Sequence, residues 1–267
     1  MINHKAYFGF SREPFAAEIP PDQLYLTPGL TAATERILYA ISLAAVSVIT
    51  GEVGAGKSTT LRYASSRLHP SQYRLIPVVA STGSPIEVYR QIAIALDTDP
   101  RTNSVSRLTK TIRDILRDTA FRKMTPVLII DEANLMRLDV FAELQTLAQF
   151  DFDSKPILPI ILAGQNNLLD KLMFHTSKPL ASRVVGRTHL DGLKVKDMSA
   201  YLRHHLDIAG VAKNLFAEEA VLAIHQGSGG LPRRANTLAR GALIAAAREN
   251  AQLAAGEHVR IAATEII

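Results

Sequence analysis

Four short apolar runs, each flanked by segments of helical period, set the first reading of the chain. The runs at 46–50, 74–80, 127–130 and 157–163 are of strand length. Apolar residues at three- and four-residue spacing predict helices at 32–43, 59–68, 84–96, 105–122, 138–150 and 168–174. Strands that alternate with helices predict a parallel sheet covered on both faces. Ser84, Pro85 and Glu87 predict an N-cap, a first-turn proline and a capping box at the head of one helix. From about Asp191 the apolar runs stop, and helices are predicted at 196–209, 217–226 and 231–250. The expected organisation is a lead-in, 1–45, packed on an α/β domain, 46–190, followed by a helical domain, 191–267. The aromatic residues of the lead-in, Phe8, Phe10 and Phe15, are expected to pack it down, with Tyr25 and Leu26 the nearest to a base-binding role.

Composition narrows the class. At 267 residues and 47% hydrophobic content the chain can bury one large core, or one core and a satellite. Its 15 glycines and 13 prolines are scattered, which excludes fibrous and low-complexity chains. With no cysteine, disulfides and thiolate metal sites are excluded, and a reducing compartment fits. The N-terminus lacks the apolar centre of a signal peptide, and the stretch 40–50 is too short to cross a bilayer, so a cytoplasmic protein is expected. His204 and His205, with His189 and His225, have no ligand spacing that would hold a metal.

The net charge of +5 is uneven. Seven basic residues and two acids fall in 101–123, a local surplus of five that equals the charge of the whole chain. On the predicted helix, Leu108, Ile112, Ile115 and Leu116 take one side, while Arg107, Lys110, Arg113 and Arg117 take the other. Such a stripe either tracks nucleic-acid phosphates or is a solvated face with no partner.

The strongest local signal follows the first apolar run. Gly51, Glu52, Val53, Gly54, Ala55, Gly56, Lys57 and Ser58 match G-x-x-x-x-G-K-[ST] at every fixed position, with Thr59 opening the helix behind them. Glycines let the backbone curl so that its N–H groups and the helix N-terminus face the phosphates of ATP. Lys57 is placed to reach the β and γ oxygens, and Ser58 to ligate Mg²⁺. The run 127–130 ends in Asp131 and Glu132. At the carboxyl end of a parallel strand, Asp131 would face the Mg²⁺ shell and Glu132 would polarise the attacking water. The next run ends in Gln165, Asn166 and Asn167, where Gln165 is the candidate to hold that water and the two asparagines also suit a helix cap.

These motifs, with Ser182-Arg183-Val184-Val185-Gly186-Arg187 and Gly229-Gly230-Leu231-Pro232-Arg233-Arg234, stand in the order found in AAA+ ATPases, which the chain resembles. The lead-in Phe8-Gly9-Phe10 through Pro14-Phe15 is similar to that of the ExeA-like ATPases of bacteria, a group that includes secretion ATPases and the ATPases that accompany transposases, related in role to the MuB, TnsC, TniB and IstB helpers. The resemblance implies a P-loop NTPase fold with a C-terminal helical lid, and a homo-oligomer, ring or helical filament. It implies that Arg183 or Arg187 is an arginine finger acting on the neighbouring subunit, and that Arg233 is a lid sensor. Gln226-Gly227-Ser228-Gly229-Gly230 is like the signature loop of ABC transporters but follows Asp131 and Glu132 instead of preceding them.

The first expectation of function is a transposition helper that assembles on double-stranded DNA with ATP and recruits a transposase. The basic balance, the lack of a membrane span and a chain that stops soon after the lid point that way. The alternative is an ExeA-like ATPase that drives assembly of a secretion-system envelope complex; such relatives carry a span and a wall-binding region. A metabolic P-loop kinase is the third reading, and the arginine motifs of the lid count against it.

Overall fold

The computed structural model describes residues 4–99 and 101–265. Its sheet is built outward from its most apolar strands. β1 (Val46–Gly51) and β4 (Ile160–Gly164) are buried along their whole length, while β2 (Tyr73–Val79) and β5 (Val184–Leu190) carry exposed residues. With β3 (Thr125–Asp131) they form one sheet in the order β2-β3-β4-β1-β5, every neighbouring pair parallel. Strands with both faces covered need apolar residues at every position, which is why β1, β3 and β4 read as continuous runs.

β5 lies outside the predicted strands. As an edge strand it buries Gly186, Thr188 and Leu190 and exposes Val185, Arg187 and His189, so its sequence shows no apolar run. Helix α2 (Pro28–Ser42) covers its buried face: Arg36 donates to the Thr188 hydroxyl at 3.0 Å, and a Cβ on Gly186 would stand 3.1 Å from the Arg36 carbonyl.

The chain divides into two compact units. One holds residues 28–53 and 57–190: the sheet with α2, α3 (Lys57–Ser66), α4 (Pro85–Ala95), α5 (Val105–Phe121), α6 (Leu138–Ala148), α7 (Asn167–Met173) and α8 (Lys178–Ala181). Ser84 does occupy the N-cap of α4, but its side chain makes no capping hydrogen bond, so the predicted capping box is absent. The turn is closed by backbone, Glu87 N–H to Ser84 O at 2.9 Å.

The other unit holds residues 1–27, 54–56 and 191–267. Its helices are α1 (His4–Phe8), α9 (Val195–Ile208), α10 (Glu218–Ser228), α11 (Pro232–Arg248) and α12 (Gly256–Thr264). Of the expected lead-in 1–45, the stretch up to Thr27 packs among these C-terminal helices, while α2 belongs to the unit of the sheet. Phe10 and Phe15 enter the same apolar cluster as Met198, Leu206, Phe216 and Leu243. Arg12 donates to Ile208 O at 2.6 Å, Ser11 N–H to Ala209 O at 2.9 Å, and Arg240 to Phe15 O at 2.7 Å. Tyr25, weighed above for a base-binding role, meets Tyr201 edge-on at 5.6 Å instead. No helix among the described residues is long and apolar enough to cross a membrane.

Candidate active site

Register places three strand ends side by side. Thr50 is level with Gly164, and Ile130 with Leu162, so the residues that follow β1, β3 and β4 emerge together at the carboxyl edge of the sheet. The first is the loop after β1. Gly54 and Gly56 have φ of 87° and 102°, in the left-handed region that glycine enters without strain. The loop thereby curls around Lys57, which is 5% exposed and donates from Nζ to Gly51 O and Glu52 O, both at 2.9 Å. Ala55 is buried, whereas Glu52, Val53 and Ser58 stay exposed and Thr59 half-buried.

The second strand end carries the acids. Ser58, in the first turn of α3, donates from Oγ to Asp131 Oδ2 at 2.7 Å, and the Glu132 N–H donates to Asp131 Oδ1 at 2.9 Å. Asp131 is thus held by donors on both oxygens. Glu132 sits at φ 52°, a left-handed backbone that is strained for a residue with a side chain and that recurs at functional sites. The hydroxyl of Ser58 and the carboxylate of Asp131 converge as hard oxygen donors, a pair that fits Mg²⁺.

The third strand end shows a residue that the sequence reading passed over. Asn134, 4% exposed in the turn Ala133–Leu135, accepts the Gln165 backbone N–H on Oδ1 at 3.0 Å. A Cβ on Gly164 would stand 2.7 Å from that same oxygen, so the contact needs glycine there. Asn134 is therefore the strut between the Asp131-Glu132 turn and Gln165. Its only sequence signal is a polar residue soon after two acids. Asn166 and Asn167 are exposed, and Asn166, at the N-cap of α7, makes no side-chain cap.

The arginines lie elsewhere. The carbonyl of Arg183 accepts Val46 N–H at 3.0 Å, which puts Arg183 at the amino end of β1. Five residues of strand at about 3.3 Å each separate that level from Gly51, roughly 17 Å. Its guanidinium pairs with Asp153, and burial lowers its pKa. Arg187 is exposed on β5, level with Val48. Arg233 is exposed in the first turn of α11, behind Pro232, and its backbone N–H donates to Gly54 O at 3.3 Å within their shared unit. Gly229, the left-handed C-cap of α10, and Gly230 make the turn before it.

Two arginines of the basic stripe meet an aromatic ring. Arg113 lies over the Phe150 ring at 4.4 Å and donates to Thr146 O at 2.7 Å; Arg117 also lies over that ring at 5.5 Å and pairs with Asp114. Cation–π contact thus holds both guanidinia at Phe150, and Arg113 also meets α6. Arg107, Lys110 and Arg117 are exposed, and Arg113 is half-buried.

A family model described as an AAA domain matches residues 41–172. General secretion pathway protein A of Aeromonas hydrophila is 30% identical over 266 residues, 97% of this chain and 48% of that protein. The chain thus spans about half the length of this relative. Among solved structures, Cdc6p from Pyrobaculum aerophilum aligns with a TM-score of 0.76 at 16% identity, covering 95% of this chain and 70% of that one. The Aeropyrum pernix ORC2 protein in its ADPNP-ADP complexes aligns at 0.72 and 16%, covering 96% and 72%. At such identities these two show the fold, that of the P-loop NTPases.

Proposed function

We propose that this chain, an AAA+ ATPase of ExeA-like type, is the motor part of a protein that uses ATP hydrolysis to drive assembly of a secretion-system envelope complex. The observation that carries the reading is the 30% identity to general secretion pathway protein A, which extends over 97% of this chain and so beyond the AAA domain into both compact units. In this reading Gly51 through Thr59 hold the nucleotide, with the loop N–H groups and Lys57 on its phosphates. Ser58 and Asp131 would hold Mg²⁺, which would supply positive charge against the phosphates. Glu132 polarises the water that attacks the γ-phosphate, and Gln165, fixed through Asn134, orients it. Arg183, about 17 Å along the strand from its own loop, serves a neighbouring subunit's nucleotide; Arg187, exposed on β5, is the other candidate. Arg233 acts as the lid sensor. Arginine suits these roles because its charge is fixed and its donors are forked.

The test replaces the matching half of the Aeromonas hydrophila protein with this chain and follows assembly of the secretion complex. Restored assembly that is lost with Lys57→Ala supports the reading. A chimaera that hydrolyses ATP and assembles nothing refutes it.

The second reading is an ATP-dependent DNA-binding oligomer that recruits a transposase. What favours it is the concentration of the chain's surplus charge in residues 101–123, with Arg107 and Lys110 exposed on α5. Replacing those two with Ala should then weaken binding to every duplex alike and lower the slope of log affinity on log salt by about two per subunit. Unchanged affinity and slope would leave α5 as a solvated face.

A further inference from the structure

β5 does not follow β1 in one register. Val46 is level with Val184 and Ser47 with Gly186, so Val185 is an extra residue on the edge strand. Without it Thr50 would stand beside Thr188; with it the neighbour is His189. Bulges re-aim side chains and recur beside functional sites. Gly186, directly after the bulge, fits the shift closely: a Cβ there would lie 3.1 Å from Arg36 O and 3.3 Å from Ser47 Oγ. From the place so given, the exposed His189 hydrogen-bonds the Thr50 hydroxyl through Nδ1 at 3.0 Å. Thr50 is 0% exposed, and a buried hydroxyl left without a partner is costly. The pairing of β1 with β4 ends at Thr50 and Gly164, whereas its pairing with β5 runs one residue further, to Gly51 and Leu190. Within the sheet Gly51 is therefore held from the β5 side, and its carbonyl is one of the two that take the Lys57 ammonium, at 2.9 Å.

We propose that His189 is a positioning residue for nucleotide binding, which through Thr50 sets the level of Gly51 and with it the place of the Lys57 ammonium. The inference rests on the reading of Gly51 through Thr59 as the loop that holds the nucleotide. Thr50 is covalently next to Gly51, so a strand end freed at Thr50 lets the Gly51 carbonyl move, and the ammonium bonded to that carbonyl moves with it. In that reading Lys57 meets the phosphates before and during reaction alike. Loss of the Thr50–His189 bond therefore weakens binding and leaves the turnover of bound ATP nearly unchanged.

The experiment measures the affinity for a non-hydrolysable ATP analogue with Mg²⁺, kcat with ATP, and the thermal midpoint, for the unsubstituted chain, His189→Leu and His189→Asn. Asparagine carries an amide oxygen or nitrogen where Nδ1 stands, and can accept or donate as Thr50 requires. His189→Leu should bind about fivefold more weakly, the effect of one lost hydrogen bond, with kcat within about twofold. His189→Asn should return the affinity to within about twofold of the unsubstituted chain. Thr50→Val should weaken binding as His189→Leu does, and the two changes together no further, because each removes the same bond. Unchanged affinity in His189→Leu, with or without a lower midpoint, overturns the inference, since the bond would then serve the sheet alone. Equal weakening in His189→Leu and His189→Asn overturns it too, as does a fall in kcat at unchanged affinity. Binding that survives Lys57→Ala would remove the loop reading and the inference together, whereas a failure at His189 leaves the loop reading standing.

Discussion

Lys57 and Glu132 carry opposite charges beyond the ends of β1 and β3, and their removal should separate binding from turnover. Lys57→Ala should abolish nucleotide binding, measured by fluorescence of a labelled analogue, because the loop loses its one buried ammonium. Glu132→Gln should keep ATP bound and slow hydrolysis roughly a hundredfold or more, the range for loss of a general base. Equal loss of binding in both would remove Glu132 from the role given to it. Asn134→Ala should lower kcat about tenfold with KM little changed, since the Gln165 N–H loses its acceptor while the phosphate loop is untouched. A change in KM alone would make Asn134 a part of binding. The loop and the two acids were legible because their chemistry is contiguous in sequence. Asn134 was not, because its partner is 31 residues away and nothing local marks a side chain that braces a backbone N–H.

Elements show the same division. The joint between β4 and the Ala133–Leu135 turn is close enough that Gly164→Ala should cost about 1–3 kcal/mol, the range for overpacking, and lower the thermal midpoint. An unshifted midpoint would mean that Asn134 moves aside freely. Helix α9 carries a pH dependence. His205 is 3% exposed, stacked on Phe15 at 5.1 Å and edge-on to Tyr201 at 4.6 Å. Burial first, then the nearby charges of His204 and Arg12, depress its pKa to about 3. The unfolded chain, with an ordinary imidazole near 6.5, therefore binds the proton more readily than the folded one. Stability from this group is complete above that value and is lost as pH falls toward 3, on the order of 3 kcal/mol by pH 4. Urea unfolding at pH 7 and pH 4 should show this loss, and His205→Phe should reduce it. An equal loss in the variant would place the titration elsewhere. Neither the edge strand β5 nor the neutral state of His205 was legible: the first alternates with polar residues, and the second depends on rings supplied by residues 15 and 201.

For the whole molecule, the separation of Arg183 from its own loop predicts a shared site. Mixing Arg183→Ala with Lys57→Ala subunits, each inactive alone, should restore hydrolysis at mixed contacts, measured as phosphate release across mixing ratios. No recovery at any ratio, for Arg183 or for Arg187, would make the site self-contained. The sequence by itself determined the parallel α/β class, the candidate phosphate loop Gly51 to Ser58, the candidate acids Asp131 and Glu132 and the change to helices near Asp191. Each of these follows from apolar period or loop chemistry acting over a few adjacent residues. Only the tertiary structure decided that β5 pairs with β1, that Asn134 braces Gln165, and that Arg113 and Arg117 turn onto Phe150. It also decided that the chain up to Thr27 joins the C-terminal helices, through bonds such as Ser11 N–H to Ala209 O across 198 residues of chain. Such pairings are chosen by which surfaces bury the most apolar area once elements exist, and no local pattern in the chain encodes that choice.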